Sequence, residues 1–371
     1  MSKFVRSRNK IISICYKNIL KPCLFKFDPE RVHDQFLFYG KLLGSNTLTK
    51  KFTSIFFNYS NPMLKQNIFG ITFDNPIGLA AGFDKNAELV NILGDVGFGY
   101  AELGSITGEP CEGNKDRPRL WRLIKSRGLV VYYGLKNDGC ELISKRLKGK
   151  NFGYPLWISV AKTNDKSTVE LEAGVKDYLK AYKSFIGIAD VITVNISCPN
   201  AFGGEPFTDP KKLDKLMFEI SKIRGKEPVF VKLSPDLSHE QYDEIIEICG
   251  RYRVDGFVCG NLTKKKNDYI LENKIPGKGG MSGKIEEELV NKMIAYIYKK
   301  TEGRFVIVGC GGVFTAEDAY EKIKLGASLI QMITGMIYEG PQAISEINRG
   351  LVELLKKDGY RNVSEAVGVN N

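Results

Sequence analysis

A thiol and two carboxamides stand close together in the segment Asn195–Asn200, which reads NISCPN. The segment follows the apolar run Val191–Val194, which is typical of a buried β-strand, and Pro199 cannot donate to a strand ladder. Cys198 is therefore predicted at the carboxyl end of a strand. A thiol flanked by amide groups there is suited to removing a proton from a bound anionic substrate. An isolated buried cysteine is more often inert, so this interpretation depends on the residues around it.

Short apolar runs rich in β-formers recur from about residue 70 onwards, with amphipathic helical stretches between them. We predict eight core strands: Ile77–Ala80, Tyr100–Leu103, Trp157–Val160, Val191–Val194, Val229–Leu233, Gly256–Cys259, Phe305–Val308 and Leu329–Ile333. Apolar strands that alternate with helices indicate a parallel sheet covered on both faces. Eight such units predict an α/β fold of the (β/α)8 TIM barrel type. An open doubly wound sheet is the alternative, but no GxGxxG motif follows the first strand.

The functional groups of a TIM barrel project from the carboxyl ends of its strands. In chain order, the residues there are Ala81, Gly82, Lys85, Ser105, Ser159, Lys162, Asn195, Cys198, Asn200, Lys232, Gly260, Asn261, Gly311, Gly312, Thr334 and Gly335. Glycines after the last two strands expose backbone N–H groups that can converge on a phosphate, so the set predicts a phosphorylated cofactor. Lys232 either places positive charge beside an electron-rich ring or pairs with a buried carboxylate.

The formal net charge of +11 predicts an acidic partner, and many of the basic residues precede the first acid, Asp28. This basic segment is either a solvated tail or a contact for membrane phosphate. No nucleic-acid-binding motif is present, so we predict no nucleic-acid partner. None of the eight cysteines forms a CxxC pair and the only histidines, His33 and His239, are far apart, which predicts no metal site.

Asp28-Pro29-Glu30 predicts a helix start, with a capping acid followed by proline at the first helical position. Apolar residues at helical spacing then predict two short helices between residues 27 and 60. These helices either pack on the main domain or lie in a membrane interface and line an entrance for an apolar substrate. The predicted organisation is a basic segment (1–26), this helix pair (27–60), a barrel (61–360) and a tail (361–371).

From about Phe27 to the last barrel helix, the chain resembles dihydroorotate dehydrogenase, the flavin enzyme of pyrimidine synthesis. The matching segments are FDPERVHDQF, NPIGLAAGFDKNAE, GFGYAELGSIT, NKDRPRLWRL, NISCPN, VKLSPDLS, GGMSG, GCGGV and LGASLIQMITG. The FDPERVHD and PRLWRL segments look like the membrane-associated, quinone-using class 2 branch of the family.

The resemblance implies that FMN is the cofactor and that Cys198 is the base. It implies that the flavin ring and ribityl chain contact Ala81, Gly82, Ser105, Ser159, Asn195, Lys232, Gly260 and Gly283, and that the phosphate contacts Gly311, Gly312, Thr334 and Gly335. It implies that the substrate is held by Lys85, Lys136, Asn137, Asn195, Asn200 and Asn261.

The reaction that the resemblance implies is oxidation of dihydroorotate to orotate. Cys198 would take a proton from C5, flavin N5 would accept a hydride from C6, and a quinone would then take the electrons. The implied location is peripheral, at the cytoplasmic face of a bacterial inner membrane or at a mitochondrial inner membrane.

Three features depart from the family pattern. Cys198 stands where class 2 enzymes typically have serine, and a cysteine base is typical of the soluble class 1 enzymes. Lys136 replaces a substrate-binding asparagine, and Gly260 and Leu262 stand where hydroxyl residues are usual. These changes leave two alternatives open: a related flavoenzyme that acts on another anionic substrate, and a non-catalytic, FMN-binding protein of the membrane surface.

Overall fold

The computed structural model describes residues 2–203 and 206–371. Its centre is a closed barrel of eight parallel strands, in which the eighth strand pairs with the first through Ile330 and Ile77. In chain order, barrel strands 1 to 8 are Ile77–Leu79, Tyr100–Ile106, Leu156–Val160, Val191–Asn195, Val229–Leu233, Gly256–Cys259, Val306–Cys310 and Leu329–Met332. The TIM barrel predicted from the apolar runs is confirmed.

Helices cover the outside of the barrel and bury their apolar faces against the strands. After strands 1 to 8, the main helices are Leu93–Val96, Cys140–Leu147, Leu171–Lys183, Pro210–Ile223, His239–Arg251, Glu287–Thr301, Ala316–Lys324 and Ala343–Lys357, with the short helix Thr334–Glu339 before the last. Several begin at polar caps, such as the reciprocal hydrogen bonds between Ser238 and Gln241. Each helix returns the chain to the amino-terminal end of the barrel, so that the next strand also points its carboxyl end toward the same rim.

The barrel interior is closed at its amino-terminal end by aromatic residues. Trp157 packs against Tyr100 and Phe230, with ring centroids 5.1 and 4.8 Å apart. A hairpin of two short strands, Gln66–Ile68 and Ile71–Phe73, adds Phe73 to this cluster. Because the rings fill this end, the opposite end of the barrel is left for a functional site.

A second, antiparallel sheet lies outside the barrel and was not predicted. Its strands are Leu120–Leu123, Gly128–Val131 and Gly280–Gly283, and the last of these pairs with the middle one through Met281 and Val130. The sheet brings the PRLWRL segment and the GGMSG segment to the carboxyl-end rim of the barrel. It therefore forms a wall beside the strand ends.

The amino-terminal segment is helical and packed on the barrel. Helices Ser2–Cys15 and Lys21–Leu24 are joined by one π-helical turn, Tyr16–Leu20. Asn9 donates to Ser345 Oγ at 3.1 Å, and the Tyr16 hydroxyl donates to the Ile337 carbonyl at 2.7 Å. The interpretation of this segment as a solvated tail was therefore wrong, since these contacts dock it on the last barrel helices.

The predicted helix pair is present as Pro29–Leu43 and Thr47–Phe57. The Asp28 side chain accepts from the Arg31 backbone at 2.9 Å, which confirms the predicted helix start. Much of the apolar surface of this pair is exposed: Phe36, Phe38, Tyr39, Leu42, Leu43, Leu48, Phe52, Ile55 and Phe56. Within the described part of the chain, no helix has the length and apolar character needed to span a bilayer. At the other terminus, residues 361–371 include the short helix Val363–Ala366, which buries both of its end residues.

Candidate active site

Most of the predicted site residues surround one cavity at the carboxyl ends of the barrel strands. Those that line it are Ala81, Gly82, Lys85, Ser105, Lys136, Asn195, Cys198, Asn200, Lys232, Asn261, Gly283, Gly311, Gly312, Thr334 and Gly335. They come from distant parts of the chain, and the parallel barrel brings them together because all its strands end at the same rim.

Four of the predicted residues are not among those that line this cavity: Ser159, Asn137, Gly260 and Lys162. Ser159 contacts the cavity residue Ser105 instead, and the two hydroxyl oxygens are 2.7 Å apart. The Asn137 carboxamide donates to Thr107 Oγ1 and to the Leu135 carbonyl, both at 2.8 Å, and so holds its own loop. A Cβ atom on Gly260 would lie 1.8 Å from the Cys310 carbonyl oxygen, so glycine there permits close approach of strands 6 and 7.

Cys198 is half-buried on the loop after strand 4, and neighbouring amides fix that loop. Asn261 Nδ2 donates to the Ser197 carbonyl and hydroxyl oxygens, both at 2.9 Å. Asn195 Oδ1 accepts from the Ser197 backbone at 3.2 Å, and Asn195 Nδ2 donates to Ser105 Oγ at 2.7 Å. The thiol is thereby held at the cavity wall by residues from strands 2, 4 and 6.

A buried lysine is close enough to the thiol for the two groups to interact electrostatically. Lys162 donates to the Phe202 carbonyl at 2.9 Å, which ties the end of strand 3 to the loop that carries Cys198. Burial lowers the pKa of Lys162, an effect partly offset by Asp177 and by Cys198. A positive charge in this position favours the thiolate form of Cys198, which is the form that can accept a proton.

The amino group of Lys85 faces the cavity beside two aromatic groups. Its Nζ atom donates to His33 Nε2 at 3.3 Å and lies 4.3 Å from the centroid of the Tyr133 ring. Burial and the neighbouring Lys136 lower the pKa of Lys85 to about 8. The pKa of His33 is lowered well below its usual value by burial and by both lysines, so its ring is neutral and can accept. Lys85 and Lys136 together suit the binding of an anionic group.

A buried ion pair joins the helix pair to this part of the cavity. Glu30, in the first turn of helix Pro29–Leu43, bonds Arg119, and both side chains are under 6% exposed. Arg119 also donates to the Glu112 carbonyl at 3.0 Å and lies 5.2 Å from the centre of the Tyr133 ring. The helix that carries His33 is thus fixed relative to the ring under Lys85.

Lys232 points into the cavity from strand 5 and is paired with a buried carboxylate. Its Nζ atom lies 3.4 Å from Glu102 Oε2, which also accepts from the Ala81 backbone at 3.4 Å. Burial lowers the pKa of Lys232, but Cys310 and Glu102 outweigh burial, and the net shift is upward. The pairing of Lys232 with a buried carboxylate is therefore confirmed, and because the residue also lines the cavity, its place beside an electron-rich ring stays a prediction.

The glycines after strands 7 and 8 form a cradle of bare backbone. Gly311 and Gly312 have φ angles of +129° and +72°, and a Cβ atom on Gly335 would lie 1.9 Å from the Val313 carbonyl oxygen. Thr334 adds a hydroxyl 2.8 Å from that of Ser282. Backbone N–H groups and hydroxyls of this kind are typical phosphate ligands. The cradle and the charge of Lys232 therefore fit a flavin nucleotide.

The sequence patterns do not indicate several residues of the cavity wall, among them His33, Tyr133 and Glu286. His33 lies in the FDPERVHD segment, but a histidine with no second histidine near it in the sequence gives no signal of its own. Tyr133 and Glu286 are close in sequence to predicted site residues, but no pattern points to them in particular. The helix start at Asp28 does place His33 on a helix. No local pattern, however, indicates that this helix crosses the barrel rim.

Comparisons with known proteins agree with the geometry. The sequence model of the family described as dihydroorotate dehydrogenase matches residues 63–355. A protein of Natronomonas pharaonis named dihydroorotate dehydrogenase (quinone) is 36% identical over 353 residues, covering 95% of this chain and 98% of its own length. One of Gloeobacter violaceus with the same name is 35% identical over 352 residues, with 94% and 98% coverage.

Solved structures give the same result. The DHODH of Eimeria tenella in complex with ferulenol superposes with a TM-score of 0.83 at 28% identity, covering 92% of this chain and 96% of the other. Its ligand-free form gives a TM-score of 0.79, with 93% and 99% coverage. The sequence and structure together show that the chain belongs to the dihydroorotate dehydrogenase family, and to its class 2, quinone-type branch.

Proposed function

We propose that this protein oxidises dihydroorotate to orotate in pyrimidine biosynthesis, with FMN as the cofactor, Cys198 as the base and a membrane quinone as the electron acceptor. The observation that carries the proposal is that one cavity is lined by a thiol, by an anion-binding site formed by Lys85 and Lys136, and by the glycine cradle. Membership of the dihydroorotate dehydrogenase family selects the substrate.

The protein's own residues would bind and orient the substrate before the proton is transferred. Lys85 would pair with the carboxylate, while the carboxamides of Asn195, Asn200 and Asn261 would bond the amide edges of the ring. The Asn200 carboxamide has one donor committed to the Val131 carbonyl, at 2.8 Å, and its carbonyl oxygen remains as an acceptor. Holding the ring at several points would bring C5 to the thiol.

Cys198 would then accept the proton from C5. An unperturbed thiol has a pKa of about 8.5, so deprotonation must be assisted by its surroundings or be concerted with transfer. The nearby charge of Lys162 would provide part of that assistance.

FMN, when bound, would supply the hydride acceptor for C6 and pass the electrons to the quinone. Gly311, Gly312, Thr334 and Gly335 would hold its phosphate. Lys232 would place positive charge beside the ring, and Ser105 and Asn195 would contact it from strands 2 and 4.

The quinone is proposed to reach the cavity along the helix pair Pro29–Leu43 and Thr47–Phe57. The exposed apolar side chains of this pair support a peripheral contact with a bilayer. Basic residues on and around the same helices, including Lys41, Lys50 and Lys51, would favour anionic lipid. A bacterial inner membrane or a mitochondrial inner membrane fits this proposal.

A second candidate is oxidation of another anionic substrate by the same fold. It is favoured by Lys136 and Leu262, which both line the cavity. Lys136 adds a charge but cannot accept a hydrogen bond, and Leu262 offers no polar group, so a substrate with a second anionic group and an apolar edge would suit them.

The proposal is tested by product analysis. The purified protein is incubated with dihydroorotate and a soluble quinone analogue, orotate is measured by its absorbance, and the released cofactor is identified by mass spectrometry. Orotate formation with FMN as the released cofactor supports the proposal. FMN without orotate would favour the second candidate, and orotate formation with fumarate but not quinone would contradict the proposed acceptor.

A further inference from the structure

Glu286 is a buried acid whose carboxyl group is only partly satisfied. It ends the single helical turn Lys284–Glu286, which directly follows strand Gly280–Gly283, and it is 5% exposed. Its Oε1 atom accepts from the Gly283 backbone at 3.1 Å. Its Oε2 atom has no hydrogen-bond partner among the described residues. A buried oxygen without a partner is costly, so the missing bond is expected from a ligand.

This carboxyl group lies at the glycine cradle. Glu286 lines the same cavity as Gly283, Gly311 and Gly312. A Cβ atom on Gly311 would lie 2.8 Å from the carboxyl carbon of Glu286, so the absent side chain is what leaves room for the acid. The acid therefore sits among the backbone groups that are proposed to hold the cofactor phosphate.

The charged groups around Glu286 come from several elements. Lys232 of strand 5 and Lys322 of helix Ala316–Lys324 favour its ionised form, whereas Asp236, on the loop after strand 5, disfavours it. The further titratable neighbours of these lysines are Glu102, Cys310, Lys284, Glu287 and Asp318. Burial outweighs both lysines and raises the pKa of Glu286 to about 8. The acid is thus mostly neutral at pH 7.

We infer that Glu286 is a further residue of the cofactor site and that its neutral carboxyl group donates a hydrogen bond to the phosphate of the bound nucleotide. This inference rests on the proposed function, because it assumes that the cradle holds FMN. Glu286 would thus add a side-chain donor to the backbone groups of the glycine cradle.

The physical reason is the charge of the phosphate. Its second pKa is about 6, so it is a dianion above neutral pH. An ionised carboxylate beside it would repel it, whereas a neutral carboxylic acid has an O–H group that can donate. Phosphate binding would therefore favour the protonated acid, and FMN affinity would fall as Glu286 ionises.

The test measures FMN release from the holoprotein against pH. The protein is diluted serially at fixed pH between 7 and 9, and the free flavin is read by its fluorescence to give a dissociation constant. With a pKa of about 8 in the free protein, the wild-type dissociation constant should rise about tenfold over this range. Glu286→Gln is neutral at every pH and keeps a donor, so its dissociation constant should change by less than about threefold.

Two further variants separate the loss of the hydrogen-bond donor from the loss of a nearby acid. Glu286→Leu is also neutral, so it should show no pH dependence, but it lacks the donor and should bind FMN about tenfold more weakly at pH 7. Glu288→Gln removes an exposed acid two residues further along, and it should keep the wild-type profile.

The outcomes separate the inference from the proposed function. Lys322 is not among the residues that line the cavity, and its amino group donates to Asn291 Oδ1 at 2.6 Å, but burial lowers its pKa to about 8, which makes it the competing source of a pH dependence in this range. A tenfold rise that persists in Glu286→Gln and Glu286→Leu would assign the effect to Lys322 and overturn the inference, while leaving FMN as the cofactor. No FMN retained by the wild type at any pH would overturn the proposed function instead.

Discussion

The exposed apolar surface of the helix pair should determine how tightly the protein binds a bilayer. Phe38 and Phe52 are 65% and 55% exposed, one on each helix. Full burial of such a side chain contributes about 1.5–3 kcal/mol, so burying the exposed part contributes about 0.8–2 kcal/mol each. Replacing both by serine should therefore cost about 1.8–3.6 kcal/mol of membrane binding, a factor of roughly 20 to 400 in the partition constant.

The assay is flotation with liposomes of mixed neutral and anionic lipid. The matched control replaces Leu142 and Phe218, which are 51% and 44% exposed on the barrel helices, and it should bind as the wild type does. Reduction of a soluble dye should be unchanged in both double variants, since none of the four residues lines the cavity. Equal flotation of the Phe38/Phe52 variant and the wild type would refute a membrane role for the helix pair.

Three further predictions concern the cavity and its support. Cys198→Ala should abolish flavin reduction by substrate without loss of FMN, whereas Cys198→Ser should retain part of the rate with a shifted pH profile; rapid reduction in the alanine variant would exclude the thiol as base. Lys85 loses its charge as the pH rises through about 8, so the KM for dihydroorotate should rise about tenfold between pH 7 and 9. Lys136→Asn removes a neighbouring charge that lowers the pKa of Lys85, so this variant should move the rise to higher pH. A KM independent of pH would contradict this role of Lys85. Glu30→Ala should lower the free energy of unfolding by about 3–5 kcal/mol, because it leaves the charge of Arg119 buried and unpaired; a denaturant titration that gives less than about 1 kcal/mol would show that Arg119 finds other partners.

The barrel was predictable because its signal is local. Strands such as Val229–Leu233 and Gly256–Cys259 are short, mostly apolar runs with turn residues at both ends, and their predicted and observed bounds agree. Knowing that eight strands close into a barrel also places Cys198, Lys232 and Gly311 at one rim, because every strand ends there.

The residues that sequence reasoning missed depend on contacts between distant segments. His33 meets Lys85 only because its helix lies across the rim, 52 positions earlier in the chain. The antiparallel sheet pairs Gly128–Val131 with Gly280–Gly283, and neither run has the length or alternation that predicts a strand on its own. Asn137 is close in sequence to the cavity residue Lys136 but bonds its own loop, a difference that only the backbone path determines.

The central claim, that this cavity oxidises dihydroorotate with Cys198 as base, is tested most directly under anaerobic conditions. The purified protein is mixed with dihydroorotate, and the absorbance of its flavin is followed in the wild type and in Cys198→Ala. We predict rapid bleaching in the wild type, recovery of the oxidised spectrum on addition of a quinone, and no rapid bleaching in the variant. A wild-type flavin that stays oxidised would contradict dihydroorotate as the substrate, and equal bleaching in both proteins would contradict the role of Cys198.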